Sequence, residues 1–174
     1  MGSLREPVPV KLFTGFIFSD ETVLHAATNA LLEHFGPADA ESGIFTFTHT
    51  TYYEQEMGPH LQKKFISFQS LIKPDHLASV KHITNDIETR YVRENSRAIN
   101  IDPGYLDLAK IVLASTKDFA HRIYIGNGIW AENTLFYREK SYRPWEWTYP
   151  DFRTEQYIGF FNHIRTMYGK QITH

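Results

Sequence analysis

An Asn-Gly pair at residues 127–128 separates two segments of alternating apolar and polar residues, HRIYIG and IWAENTLFY. A two-residue loop of type I′ needs positive φ at both central positions, and Asn-Gly adopts these values more readily than other pairs. The pair therefore predicts that the two segments are neighbouring antiparallel strands. A regular hairpin also fixes the register, in which Ile125 faces Trp130, Ile123 faces Glu132 and His121 faces Thr134.

His121 and Glu132 share one face of this predicted hairpin as diagonal neighbours, about 7 Å apart at Cα. Arg122 and Asn133 fall on the other face, because successive side chains of a strand alternate. A carboxylate beside a His orients the ring and raises its basicity, as a general base requires. A paired His and Glu on a solvated sheet face is the simpler alternative. His121 and Arg122 can serve one site only if the strand bulges near the Lys117-Asp118 corner.

The first hundred residues predict the order strand, helix, strand, strand, helix, strand. The strands are the β-branched and aromatic segments VKLFTGFIFS, GIFTFTHTTYY, KKFISFQSLI and AINID. The first helix follows an N-cap at Ser19 and ends at Gly36-Pro37, and the second runs from Pro74 to about Arg93. This is the element order of a ferredoxin-like βαββαβ unit.

The second half predicts a β-meander and a further helix. The meander strands are KIVLAS, HRIYIG and IWAENTLFY. The alternative is a helix from Asp102 to Ser115, in which Asp102 is the N-cap and Pro103 lies in the first turn. The segment TEQYIGFFNHIRTMYGKQ has helical spacing. Its apolar stripe consists of Tyr157 or Ile158, Phe161, Ile164 and Tyr168.

Together these elements predict an α+β fold. We expect a largely antiparallel, twisted sheet of six or seven strands with three main helices packed on it. Residues 1–9 are expected to be a flexible start, and residues 10–174 a single domain. At 174 residues the chain is long enough to bury a core.

The composition excludes several classes of site and partner. No cysteine is present, which excludes disulfides, thiol catalysis and Cys-based metal sites. None of the nine histidines stands in an H-x-x-x-H or H-E-x-x-H spacing, so we expect neither a metal ion nor a cofactor. A net charge of −2 disfavours nucleic acid as a partner. Without a recognisable leader or long apolar segment, we expect a cytoplasmic protein that does not contact membranes.

Residues 116–118 read Thr-Lys-Asp and look like a guanine-reading box. In such a box the acid stands two positions after the Lys, whereas Asp118 follows Lys117 directly. The chain also lacks the G-x-x-x-x-G-K-[ST] loop whose backbone amides cradle phosphates. The sequence therefore argues against a P-loop GTPase.

Three other segments carry candidate site residues. Asp102 ends a predicted strand beside Tyr105, although Asp-Pro-Gly is equally a common turn sequence. The segment YRPWEWTYPDFR is either an aromatic lid over a ligand or a cover for one end of the sheet. The segment THTTYYEQEMG is either a second polar and aromatic cluster or a strand end running into an acidic loop. Its candidates are His49, Tyr52, Tyr53, Glu54 and Glu56.

Four segments are distinctive in combination: YYEQEMG, KKFISFQSLI, NIDPGYLDLAKIVLASTKDFAHRIYIGNGIWAE and WTYPDF. Together they resemble an uncharacterised bacterial and archaeal family, domain of unknown function 4416, whose members are sometimes labelled GTP-binding protein. The resemblance covers nearly the whole chain. It implies one domain and a cytoplasmic setting, and it assigns no reaction and no catalytic residue.

Two functional hypotheses follow from the residues. The first is a ligand-binding or enzymatic domain for a small anionic molecule, such as a nucleotide or phosphorylated metabolite. Its candidate acid and base groups are His121 with Glu132 or Asp102. Its candidate ligand contacts are Lys117, Arg122, Tyr105, Trp145, Trp147 and Arg153. The alternative is a noncatalytic protein whose aromatic C-terminal segment forms a homodimer or a partner surface.

Overall fold

Strands dominate the computed structural model, which describes residues 2–48, 53–93 and 96–173. The strands are β1 (Val10–Phe18), β2 (Ala38–Glu41), β3 (Phe45–Thr46), β4 (Gln62–Ile72), β5 (Val92–Arg93), β6 (Ser96–Arg97), β7 (Ile99–Leu106), β8 (Lys110–Ser115), β9 (Arg122–Gly126), β10 (Ile129–Arg138) and β11 (Ser141–Pro144). The helices are α1 (Glu21–Phe35), the short α2 (Glu54–Met57), α3 (Leu77–Thr89) and α4 (Glu155–Ile172). The α+β class and the three main helices are as predicted.

The first half of the chain forms the predicted βαββαβ unit. Its strands lie in the order β7-β1-β4-β2, and every neighbouring pair is antiparallel. This is the arrangement that a ferredoxin-like unit adopts when its two helices cross over the same face of the sheet. The central strand β1 is buried along its whole length.

The second half of the chain extends this sheet on the β7 side. β8, β10 and β11 add to it in that order, again all antiparallel. β9 pairs with the part of β10 that β11 leaves free, and β3 pairs with β4. Because residues 110–115 form β8, the helical alternative for this segment is wrong.

Helices α1 and α3 cover one face of the sheet, and their core contains Leu12 and Phe16 of β1. Two expected helix ends differ in detail. Asp20 rather than Ser19 caps α1, since its carboxylate accepts a hydrogen bond from the Thr22 amide at 2.8 Å. α3 begins after a single 3-10 turn at Pro74 and ends at Thr89, because the next residues enter the small β5–β6 ribbon.

Helix α4 covers the opposite face of the sheet, where it packs on Phe13 and Phe65. Thr154 caps it by accepting a hydrogen bond from the Tyr157 amide. The predicted apolar stripe is confirmed, since its members Tyr157, Phe161, Ile164 and Tyr168 are all buried. No helix in the described part of the chain is both long and apolar enough to cross a membrane.

The segment between α1 and β4 differs most from expectation. Of the strand predicted from GIFTFTHTTYY, only Phe45–Thr46 is a strand, and residues 49–52 lie outside the described residues. The segment Ala38–Glu41 forms β2 instead, although it contains no β-branched or aromatic residue. Its Asp39 pairs with the buried Lys11 and accepts a hydrogen bond from Ser67 at 2.6 Å, so tertiary contacts determine this strand.

Candidate functional site

A fork between β7 and β8 opens the sheet and creates a cavity. The two strands pair from Leu106 back to Gly104, opposite Leu113, and then separate. The residue at which pairing stops is Pro103, which has no N–H group to continue the ladder. The alternative of an Asp-Pro-Gly turn is therefore wrong, because residues 102–104 lie inside β7, where all three pair with β1.

Gly104 allows the close strand approach at the fork. A Cβ atom there would lie 2.6 Å from the Val112 carbonyl oxygen and 2.7 Å from the Phe13 ring. Both distances are far below van der Waals contact, and the first involves backbone that cannot rotate away. Only glycine fits at this position.

Beyond the fork, side chains from α3 replace the missing strand. The Ile101 amide donates to Glu88 Oε1 at 2.7 Å, and Lys81 Nζ donates to the Ile101 carbonyl at 3.0 Å. Both side chains are buried. Burial raises the pKa of Glu88, against the lowering effect of the Lys81 charge and the Ile101 hydrogen bond. The open edge of β7 is thus satisfied by charged groups that end beside the cavity.

The cavity has a volume of about 440 Å³, within the range of sites for small molecules. Basic side chains outnumber acidic ones in its lining. The basic residues are Lys63, Lys81, Arg97, Lys117 and Arg122. The acidic residues are Asp102, Glu132 and Asp151.

Asp102 lies on the floor of the cavity between two lysines. Its Oδ2 accepts a hydrogen bond from Asn100 Nδ2 at 2.8 Å and lies 3.6 Å from Lys63 Nζ. Its Oδ1 lies 3.9 Å from Lys81 Nζ. Burial alone would raise the pKa of Asp102, but the Lys63 and Lys81 charges and the Asn100 hydrogen bond outweigh it and lower that pKa. Asp102 is therefore ionised at neutral pH.

Lys63 is buried to 2% exposure, yet its ammonium makes no hydrogen bond within the described residues. Three rings surround it instead, with centroids 5.4 to 5.8 Å from Nζ: Phe47, Phe65 and Phe152. Gly15 on the adjacent β1 gives its stem room, because a Cβ there would lie 3.2 Å from Lys63 Cε. An ammonium has three donors, so this group has capacity for an acceptor from outside the chain.

The Arg97 guanidinium, unlike the Lys63 ammonium, makes several hydrogen bonds to described residues. Its guanidinium donates to both oxygens of Glu56, at 2.7 and 2.8 Å, and to Glu88 and Asn100 at 3.0 Å each. The hydrogen bond with Arg97 is the main cause that holds the pKa of Glu56 below its usual range. The same pairing raises the pKa of Arg97. Arg97 therefore ties α2 and α3 to the wall of the cavity.

Glu132, Arg122 and His121 meet at the other side of the lining. Glu132 Oε2 accepts from Arg122 Nε at 3.0 Å and lies 2.9 Å from His121 Nε2. Arg122 also donates to Ser115 Oγ at 3.0 Å and to Tyr149 Oη at 2.5 Å. The predicted meeting of His121 and Glu132 is thus present, with Arg122 on the same carboxylate.

The hairpin register that predicted this meeting is nevertheless wrong. The pair Gly126 with Ile129 is as expected, but a bulge follows, and Glu132 lies opposite Arg122 rather than Ile123. Gly126 has φ of 100°, a left-handed value that accommodates the extra residue. The bulge therefore turns Arg122 to the Glu132 face, and His121 reaches that face from the turn before β9.

The aromatic segment after β11 packs beside this carboxylate. The Trp147 ring stacks on His121 and on Trp145, with centroid separations of 5.5 and 5.1 Å. Its Nε1 donates to the Asn133 carbonyl at 2.9 Å. Among the described residues, Arg153 donates to the backbone carbonyls of Trp145, Glu146 and Thr148, so it braces this segment, and it is not part of the cavity lining.

Comparisons with known proteins place the chain in a family without assigning it a function. The family model described as Domain of unknown function (DUF4416) matches residues 8–168. The chain belongs to this family. No curated protein and no solved structure matches it significantly.

In this DUF4416 chain, the predicted site residues divide into four groups. Asp102, Lys117, Arg122 and Glu132 line the cavity. His121, Trp145, Trp147 and Arg153 lie next to it through the contacts above. Tyr105 does not, because it packs with Leu77 of α3 on the opposite face of the sheet. His49 and Tyr52 lie outside the described residues.

The sequence analysis missed three charged residues of the cavity lining, Lys63, Lys81 and Arg97, and it also missed Glu88 beside the cavity. Lys81 and Glu88 follow Val80 and Ile87 directly, so they lie within the buried stripe of α3. A charged residue inside an apolar helical stripe is therefore the sequence pattern that could have revealed Lys81 and Glu88. In the described part of this chain, no three His, Asp or Glu side chains form a cluster that could hold a metal ion.

Proposed function

We propose that the cavity binds a small anionic ligand, such as a phosphorylated metabolite or a nucleotide. The observation that carries this proposal is the Lys63 ammonium, which is buried at the cavity floor without a hydrogen bond to a described residue. Burying a charge is costly unless it is paired and hydrogen-bonded. A ligand oxygen would supply the hydrogen bonds that Asp102, 3.6 Å away, does not make.

The rest of the lining supports the same class of ligand. Lys117 and Arg122 add positive charge in the same cavity, while Tyr149 and Phe152 add aromatic surface for the uncharged part of a ligand. Glu132 of the lining and His121 next to it are the candidate acid and base if the ligand is also a substrate. We propose binding as the primary function.

The test is a calorimetric and thermal-shift screen with phosphorylated metabolites, nucleotides and dicarboxylates, each beside an uncharged analogue. A ligand at about 100 times its Kd stabilises the folded state by about 2.7 kcal/mol, which raises Tm by about 5–10 °C for a chain of this size. We expect such a shift for anions only, and its loss in Lys63→Met.

Lys64→Met is the matched control. Lys64 is the next residue of β4, but it points to the other face and pairs with Glu41 at 2.7 Å. Removal of its charge should leave the ligand response intact. The proposal fails if no anion shifts the wild type, or if a folded Lys63→Met variant responds as the wild type does.

We infer a second candidate function, homodimer formation, from the rings left exposed beside the cavity. Phe119, Trp147 and Tyr149 are 64%, 38% and 46% exposed and lie next to one another through His121 and Arg122. Exposed apolar patches of this kind often mark protein contacts. Small-angle scattering should then give a dimer mass for the wild type and a monomer mass for Phe119→Ser. A monomeric wild type would eliminate this candidate.

A further inference from the structure

We propose that the ligand carries a hydroxyl group close to its anionic group, as a sugar phosphate does, and that Asp102 accepts a hydrogen bond from that hydroxyl. The inference rests on the proposed function, because it specifies the chemistry of a ligand bound beside Lys63. It assigns to Asp102 the role of selecting among anions.

Asp102 has acceptor capacity that the described residues do not use. Its Oδ2 takes one hydrogen bond from Asn100, whereas its Oδ1 accepts none from a described residue and lies 3.9 Å from Lys81 Nζ, beyond hydrogen-bond distance. The side chain is 28% exposed and lines the cavity. An ionised carboxylate offers about four lone-pair sites, so Asp102 can accept hydrogen bonds from a ligand.

A carboxylate in an anion site repels the bound anion unless the ligand also donates a hydrogen bond to that carboxylate. A simple anion bound to Lys63 would lie close to the Asp102 charge, because the two side chains are 3.6 Å apart. A hydroxyl group on the ligand converts this repulsion into a charge-assisted hydrogen bond. Asp102 therefore weakens the binding of plain anions and strengthens that of hydroxylated ones, which is how a site gains specificity.

The surroundings of Asp102 favour a hydroxyl over an ammonium as the donor. Lys63 and Lys81 both lie within 4 Å of its oxygens, and a third positive charge would meet repulsion from both. A cavity of about 440 Å³ also holds far more than an inorganic anion. Its ring surfaces at Tyr149 and Phe152 suit a carbon skeleton.

The test compares three phosphates by isothermal titration. Inorganic phosphate is the plain anion, butyl phosphate adds a carbon chain without hydroxyl groups, and ribose 5-phosphate has a carbon skeleton with hydroxyl groups. In the wild type we expect ribose 5-phosphate to bind at least tenfold more tightly than butyl phosphate. In Asp102→Asn we expect the affinity for inorganic and butyl phosphate to rise, since the repulsive charge is gone. The ratio of the affinity for ribose 5-phosphate to that for butyl phosphate should then fall below about threefold.

Asp151→Asn is the matched control. Asp151 lines the same cavity and is buried, but it forms no ion pair within 4 Å in the described part of the chain. Its substitution should change the affinity for all three phosphates by a similar factor and leave the ratio between them unchanged. A ratio that depends on Asp151 and not on Asp102 would overturn the inference.

The wild-type titrations separate this inference from the proposed function without any variant. Equal affinities for butyl phosphate and ribose 5-phosphate overturn the inference and leave anion binding standing. Absence of binding by all three phosphates and by the wider anion screen removes both. Thermal unfolding of each variant verifies that it is folded before titration.

Discussion

Arg122 and Glu132 lie directly opposite each other in the β9–β10 ladder, with Nε 3.0 Å from Oε2. Their side chains are only 8% and 2% exposed. Such a pair stabilises little relative to apolar residues, but the loss of one partner leaves a buried charge uncompensated. The pair lies in the wall of the cavity and is joined, through the hydrogen bond from Arg122 to Tyr149, to the lining segment after β11.

We predict that Glu132→Ala lowers the free energy of unfolding by about 3 kcal/mol or more, because Arg122 then has no carboxylate. Arg122→Ala should also destabilise. The double variant should be less destabilised than the sum of the two, with a coupling energy of about 1–3 kcal/mol. Urea unfolding of the four proteins measures this coupling. The exposed Glu139–Arg143 pair, at 3.4 Å, is the control and should couple by less than about 1 kcal/mol.

The second prediction concerns the bulge at Gly126, which places Arg122 opposite Glu132. Gly126 has φ of 100°, so Gly126→Ala should destabilise the protein by about 1–3 kcal/mol through backbone strain. Gly159 lies in α4, where an added Cβ meets nothing within 4 Å. Gly159→Ala should therefore stabilise by about 0.5–1 kcal/mol. Thermal unfolding that gave both changes the same sign would contradict the assigned backbone at Gly126.

Asp102 predicts a specific pH dependence of stability. Its pKa in the folded protein lies below the ordinary value, because the lysine charges and Asn100 outweigh its burial. Its ionised form therefore stabilises the fold above the ordinary Asp pKa of about 4, and this contribution is lost as pH falls through the lower folded value. The difference in unfolding free energy between wild type and Asp102→Asn should be largest above about pH 5 and should narrow toward pH 3.

The control for this pH dependence is Asp86→Asn, an exposed position on α3. This change should stay within about 0.5 kcal/mol of the wild type at neutral pH. A gap between wild type and Asp102→Asn that widened on acidification would show that Asp102 is not held ionised by its neighbours. Denaturant titrations at four pH values suffice for this comparison.

Local patterns in the sequence predict most of the elements but only part of the site. The α4 stripe and the Asn-Gly turn depend on neighbouring residues, so periodicity and turn chemistry reveal them. Asp39 in β2 depends on Lys11, 28 positions away, and no local pattern contains that pairing. The meeting of His121 and Glu132 was expected from a regular register, yet it arises from a bulge and a turn residue.

The cavity itself could not be predicted for a related reason. Lys63, Lys81 and Asp102 come from β4, α3 and β7, and only the order of strands in the sheet and the fork at Pro103 bring them together. Before that order is known, Lys63 and Lys81 resemble ordinary surface charges, and only Asp102 is a candidate, because it stands at a predicted strand end. Only their positions beside apolar stripe residues distinguish Lys81 and Glu88 in advance.

The last prediction concerns the buried edge of β7 at Ile101, where side chains of α3 take the place of a neighbouring strand. Glu88 accepts the Ile101 amide at 2.7 Å in place of a neighbouring strand. Glu88→Ala should leave that amide without a partner, destabilise the protein by about 1–3 kcal/mol and speed hydrogen exchange at Ile101. Glu88→Gln loses the charge and the oxygen that accepts from Arg97 at 3.0 Å, but it keeps an acceptor oxygen for the Ile101 amide at the same reach. It should therefore retain most of the protection at Ile101. Equal loss of protection in both variants would mean that the charge, rather than the hydrogen bond, closes this edge.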